Sequence, residues 1–263
     1  MLSTTRPMDM IEAKTGEAWD AIACYQRAID ICQQFGIDHL LPHALNHLGW
    51  AYCQLQQYDA AIACYQQVLT LGQRSRLANG HEEAVAFNRL GIVHDQLGQY
   101  SQAIAYYRQA LALFQTGEAD ADMAAVWINL GVVYNRLQQY DAAIAYYQQA
   151  LTLSQQIGDR RGEANALLNS AITYHQTGQA TAAIVCCQNA LSLYLELDDC
   201  LGLALTLSNL SRIYAQTGLT IEATLCEQEA DHYRNQLHRD GDAPLRQRRE
   251  AESLPAPVHA VCR

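Results

Sequence analysis

One twelve-residue block returns along the chain at nearly constant intervals. It reads AAIACYQQVLTL from Ala60, QAIAYYRQALAL from Gln102, AAIAYYQQALTL from Ala142 and AAIVCCQNALSL from Ala182, at spacings of 42, 40 and 40 residues. An upstream copy, DAIACYQRAIDI, begins at Asp20, and a decayed one, EATLCEQEADHY, begins at Glu222. A second block precedes each complete copy: LNHLGWAYCQL at Leu45, FNRLGIVHDQL at Phe87, WINLGVVYNRL at Trp127, LLNSAITYHQT at Leu167 and LSNLSRIYAQT at Leu207. Such periodicity means that each period is a small unit unable to bury its apolar face alone, which stacks on its neighbours to make a core.

Both blocks read as helices. Leu45, Leu48 and Tyr52 fall at i, i+3 and i+7, the apolar stripe of a 3.6-residue period. Gly49, Gly91 and Gly131 follow the buried leucine and let a neighbouring helix approach, and Ala171 and Ser211 keep that position small. Ala61, Ala103, Ala143, Ala183 and Ala223 do the same on the second helix. Gly98, Gly178 and Gly218 suit a left-handed cap between the helices. Asp59, Ser101, Asp141 and Thr181 then belong to the first turn of the second helix, where oxygens or negative charge offset unpaired N–H groups.

Small residues at crossing points and large ones at fixed offsets in a helix-turn-helix unit resemble the tetratricopeptide repeat. Its pattern is met by Trp127, Leu130, Gly131, Tyr134, Ala143, Tyr147 and Ala150. The usual unit is 34 residues long, and the longer period here is similar to the subclass of kinesin light chains, Pins-type adaptors, peptide-sensing bacterial regulators and cyanobacterial repeat proteins. The resemblance implies an all-α, right-handed superhelical solenoid of antiparallel helix pairs. Its expected extent is 17–236: the second helix of a partial first repeat, then five repeats starting near 42, 84, 124, 164 and 204. An irregular or truncated cap is expected over 1–16 and a disordered tail over 237–263.

Composition fits this and removes other classes. Half of the 263 residues are apolar, too many for a disordered chain, and no apolar run reaches the roughly 18 residues of a membrane span. The start lacks a signal peptide's apolar stretch, so a soluble, cytoplasmic protein is expected. The net charge is -10 and lysine occurs once, at Lys14, which argues against nucleic acid as a partner. Cys24, Cys64, Cys186 and Cys226 share one repeat position with Tyr106 and Tyr146, so they read as fillers of a helix face. Cys262, in the tail, is the thiol most open to oxidants. His43 and His47 lie four apart without the intervening Glu of a zinc motif, and read as solvated or ligand-facing. GDRRGEA at Gly158 reads as a helix cap and a charged first turn. No nucleophile elbow, phosphate loop or dinucleotide fingerprint occurs, so no catalytic residue, metal or cofactor is assigned and a non-enzyme is expected.

What remains is a surface. In tetratricopeptide arrays the first helices line a concave groove, and here the residues out of phase with their packing stripe are Asn46, His47, Trp50 and Gln54, then Asn88, Arg89, Asp95 and Gln96. The later pairs add Asn129, Asn135 and Arg136, then Asn169, His175 and Gln176, then Asn209, Arg212 and Gln216. Asn129, Asn169 and Asn209 occupy one identical position, a ladder suited to the amides of an extended peptide. Up to Asp231 the chain carries 11 basic and 23 acidic residues, yet this face holds Arg89, Arg136 and Arg212 against Asp95. A basic stripe in an acidic shell favours acidic segments or C-terminal carboxylates, and Trp50 offers an aromatic anchor. The paired lysines of the chaperone-binding carboxylate clamp have no counterparts. The expected function is a protein-interaction scaffold or adaptor holding peptide segments; the alternative is a sensor that binds a small signalling peptide and controls an effector.

Overall fold

The computed structural model describes residues 6–74, 80–116 and 119–242, with side chains over 18–73, 80–116 and 119–237. Among these stand eleven α-helices, one 3-10 turn at Asp38–Leu40 and no strand. After α1 (Arg6–Phe35) they alternate as first and second helices of five pairs: α2 (Leu41–Gln54) and α3 (Tyr58–Arg74), α4 (Gly80–Gln96) and α5 (Tyr100–Phe114), α6 (Asp120–Arg136) and α7 (Tyr140–Ile157), α8 (Arg160–Gln176) and α9 (Ala180–Glu196), α10 (Cys200–Gln216) and α11 (Thr220–Asp242).

Three boundaries differ from expectation. First helices begin up to four residues early, at Gly80, Asp120, Arg160 and Cys200, because Glu82, Glu83, Asp120, Asp122 and Glu163 continue the helix and place negative charge in its first turn. An irregular cap over 1–16 is not what α1 forms: the helix is continuous from Arg6, Pro7 sits where a missing N–H costs nothing, and MIEAK is rich in helix formers. At the other end α11 runs six residues past 236 to Asp242, and the rest of the expected tail, with Cys262, lies outside the described residues.

The chain divides into two compact units, Met1–Val133 and Tyr134–Arg263. In the first, α1 to α4 each pack on the helix that follows, and α2 also touches α4. In the second, α7 to α10 do likewise, and α8 touches α10. The first helices thus form a layer of their own within each unit.

Size complementarity sets the packing. A Cβ on Gly49 would stand 2.6 Å from the ring of Tyr65, and one on Gly91 would stand 2.5 Å from Tyr107. Both rings are buried, so glycine is what lets them lie across the first helix. Between pairs the same rule recurs with Gly202, whose Cβ would stand 2.3 Å from Tyr194. Tyr194 is 2% exposed and its hydroxyl donates to Asn165 Oδ1 at 2.7 Å, so a tyrosine outside the repeated positions is also a core residue. Cys187 is sealed while its neighbour Cys186 is half-buried; burial pushes the Cys187 thiol up to about 12.

Backbone caps close the helices. Gly98, Gly178 and Gly218 take φ of 72°, 76° and 84°, as their spacing suggests, but Gln56 and Gln138 fill the same position at φ 59°. In each turn the next N–H reaches back to the carbonyl of His94, Tyr174, Tyr214, Tyr52 or Tyr134, a Schellman closure. The residue before α5, α7 and α9 is Gln99, Gln139 or Gln179, none of which caps with its side chain. Asp59 and Asp141 lie in the first turn, where their charge faces the helix dipole. Between pairs, Gly158 is left-handed and Asp159 accepts from Gly162 N–H at 2.9 Å; Asp199 accepts from Gly202 N–H at 2.9 Å.

Candidate peptide-binding face

The side chains out of phase with the packing stripe fall into two sets. The first unit holds Asn46, His47, Trp50, Asn88, Arg89 and Asn129, and the second holds Asn135, Arg136, Asn169, His175, Asn209 and Arg212. Each set stands on the first-helix layer of its own unit.

In the first unit the outlying member is Asn46. It is 5% exposed, and its Nδ2 donates to the backbone oxygen of Glu82 at 3.1 Å and to Glu82 Oε2 at 2.7 Å. Asn46 is a tie between α2 and the first turn of α4 rather than a surface amide, because Glu82 comes within hydrogen-bond distance and covers it. Asp95 is likewise buried. His47 is exposed and stacks on Tyr25 at 5.3 Å, with the His43 ring 4.5 Å away. Burial lowers its pKa, the charges of His43 and Arg89 lower it further, and Glu82 opposes them. Asn129 Nδ2 donates to Asn88 Oδ1 at 3.1 Å, so these two amides form one rung.

Arg89 lies over Trp50, its guanidinium carbon 4.0 Å from the ring centroid. That distance suits a cation–π contact. The guanidinium is only partly exposed, and burial pulls its pKa below the ordinary value while Tyr65, Cys53 and Asp122 oppose.

In the second unit the amides are spent nearer home. Asn169 Nδ2 donates to Asn165 O and Asn209 Nδ2 to Leu205 O, each at 2.8 Å and one turn back along the same helix. Their carbonyl oxygens stay on the partly exposed face. Asn135 Nδ2 donates to Thr173 Oγ1 at 2.5 Å, and the hydroxyl of Tyr147 also hydrogen-bonds Thr173. His175 is half-buried, with its pKa lowered by burial and then by the charge of Arg212, which is exposed. The two stand on adjacent first helices, with the positive charge on Arg212. Arg136 is exposed.

Sequence reasoning missed the groups beneath this face. Tyr65 was readable as a packing residue, but its hydroxyl is buried without a hydrogen-bond partner. Val93 and Cys53 surround it where Thr173 and Asn135 surround Tyr147, a difference visible only when the repeats are compared column by column. Among the described residues, no three His, Cys, Asp or Glu side chains gather as a metal site. Nor is any described helix long and apolar enough to cross a membrane.

Comparison with known proteins agrees with this architecture. The tetratricopeptide repeat model matches residues 10–74, 41–116, 122–186 and 162–230. Among solved structures, BtubC (BKLC) from P. vanneervenii is similar with a TM-score of 0.68 and 19% identity, over 95% of this chain and 96% of that one. Aspartyl phosphate phosphatase F from Bacillus subtilis is similar with a TM-score of 0.68 and 16% identity, over 80% of this chain but 55% of that one. The kinesin light chain repeats of Podosopora anserina are similar with a TM-score of 0.58 and 17% identity, over 77% and 98%. No curated protein matches the chain. Helix pairs in register, glycine–tyrosine crossings and a family match over most of the length make this chain a member of the tetratricopeptide repeat family.

Proposed function

We propose that this is a non-catalytic protein-interaction module of the cytoplasm, whose first helices bind extended peptide segments. The observation that carries the reading is the column two residues before each small crossing residue: His47, Arg89, Asn129, Asn169 and Asn209. None of the five is buried once the helices have packed. All can hydrogen-bond a peptide backbone or carboxylate. Arg212, beside His175, and Arg89 favour partners with acidic segments or a C-terminal carboxylate.

A regulatory reading, in which the face closes on a small signalling peptide and alters an effector, draws on the likeness to aspartyl phosphate phosphatase F, where this fold is part of a longer chain. The two readings differ in what binding does to shape. An adaptor keeps its radius of gyration in X-ray scattering when a captured peptide is added, and a sensor contracts. The common premise is tested by changing Asn129, Asn169 and Asn209 together to Ala. Capture of partner peptides weakens at least about tenfold if the amides contact them, and unchanged capture with an unchanged melting curve would sink the proposal.

A further inference from the structure

The helix α1 carries the block of a second helix, DAIACYQRAIDI, yet among the described residues no first helix lies beside it. It runs unbroken from Arg6 and packs on α2 and on the Asp38–Leu40 turn. Its apolar residues divide into two faces. Ala18, Ile22, Tyr25, Ile29 and Cys32 recur at steps of four and three and turn toward α2, where Ile22 shares a cluster with Leu48 and Ala51. Ala21, Cys24, Ala28, Ile31 and Phe35 recur at steps of three and four on the neighbouring face.

In α3 the positions equivalent to Ala21, Cys24 and Ala28 are Ala61, Cys64 and Val68. They are 0%, 7% and 1% exposed, and Cys64 packs with Leu48 and Ala51 of its own first helix, α2. In α1 the same columns are open. Cys24 is exposed, Ala21 and Ala28 are half-buried, and Ile31 and Phe35 are 45% and 68% exposed. The stripe is therefore the surface that receives a helix one unit further along, and here it faces outward. No charged residue interrupts it.

The order of side chains along the stripe selects what fits. Laid antiparallel on a second copy, its steps of three and four run back along the other helix in matching order. The layers become Cys24 against Phe35 and Ala28 against Ile31, each occurring twice about a two-fold axis. Every layer sets a small side chain against a large one, the rule that Gly49 and Tyr65 follow inside the chain. Parallel pairing would instead set Phe35 on Phe35 and Ala28 on Ala28, crowding one layer and leaving a gap in another.

We infer that this face of α1 is the interface of a homodimer, in which two copies of α1 pair antiparallel through Cys24, Ala28, Ile31 and Phe35. Four layers span about 16 Å of helix, a small interface, so association is micromolar. Each copy carries a net charge of -10. Their mutual repulsion opposes docking and is screened by salt, so an apolar contact tightens as salt rises. The inference does not depend on the peptide-binding reading.

The test is sedimentation equilibrium of the full chain under reducing conditions, over about 1–200 μM. A monomer–dimer equilibrium is expected, with a dissociation constant that falls at least about threefold as salt rises from about 0.05 to 0.5 M. Ile31→Glu raises that constant at least about tenfold, because it carries a charge into an apolar layer. Ala23→Glu, exposed but off the stripe, leaves it unchanged. Both variants keep the parent's circular dichroism, since each replaces an exposed residue. Orientation is read by Phe35→Cys, which sets a thiol opposite Cys24 of the second copy. Mild oxidation then yields a covalent dimer that disappears when Cys24→Ser is added. Within one helix the two positions stand about 16 Å apart, too far to bond. A chain that stays monomeric at every concentration, leaving the face to some other helix, overturns the inference. So does a dimer that ignores Ile31→Glu, that Ala23→Glu weakens equally, or that loosens as salt rises. Oxidative linkage of the parent through Cys24 alone would mean parallel pairing and overturns it too.

Discussion

Within a pair, an absent side chain makes room for the largest one. Gly49 faces Tyr65 and Gly91 faces Tyr107, sixteen residues on in each case. Sixteen residues after Ala171 and Ser211 stand Cys187 and Glu227, so where the first helix regains a Cβ the second loses its ring. Ala171 and Cys187 share one core cluster and both are 0% exposed. Gly91→Ala is therefore expected to destabilise by about 1–3 kcal/mol, through a ring that has nowhere to move. Ala171→Gly costs only about 1 kcal/mol, the intrinsic helix penalty. Adding Tyr107→Cys to Gly91→Ala should recover part of the loss, and a coupling below about 0.5 kcal/mol in urea denaturation would show that the two positions are independent.

At the scale of elements, the turns divide into comfortable and strained. Gly98, Gly178 and Gly218 adopt the left-handed conformation freely, whereas Gln56 and Gln138 adopt it with a Cβ against the backbone. Gln56→Gly and Gln138→Gly should each stabilise by about 0.5–1 kcal/mol, since the relief of strain exceeds the added chain entropy. The opposite change, Gly178→Gln, should destabilise by a similar amount. Helix starts divide too. Asp159 and Asp199 are true caps, so Asp159→Ala should cost about 1 kcal/mol. Asp59→Ala, which removes only a first-turn charge, should cost a few tenths of a kcal/mol. Melting curves of these variants rank the turns directly. The last second helix follows the same logic with different chemistry: Arg234 replaces the Tyr194-type wedge and turns onto Glu227 at 3.0 Å, Asp231 and Ser208. A charged clamp stands there in place of an apolar stacking residue.

For the whole molecule the pH response follows from two histidines. Burial, helped by His43 and Arg89 at His47 and by Arg212 at His175, holds both folded-state pKa values below 6.5. Above that pH neither state protonates the rings. As pH falls below it the unfolded chain takes up protons first, so stability is lost until the folded rings protonate as well. Thermal melts should shift downward from about pH 7 to pH 5, and His47→Gln with His175→Gln should flatten that slope. A slope unchanged in the double variant would assign the response to other groups.

Periodicity made the fold legible, because a residue recurring once per unit reports a packing role regardless of where the units sit. The helix pairs, the glycine crossings, the left-handed caps and the GDRRGEA cap were all visible in the residues. Helix starts were less so, since inter-pair residues such as Asp120–Met123 carry no recurring signature that marks where the helix begins. The face was legible by phase but not by orientation. Asn46 and Asn88 hold the same repeat position, yet Asn46 is buried on Glu82 while Asn88 accepts from Asn129. Only the tertiary structure decides such cases, because whether an amide is spent depends on which side chain a neighbouring helix brings within about 3 Å. It also decided that Tyr65 lacks the partner that Tyr147 has. The sequence by itself determined which helices exist and which residues wedge between them, since both follow from short-range spacing. Tertiary packing determined which donors remain unpaired, since pairing is a property of residues tens of positions apart.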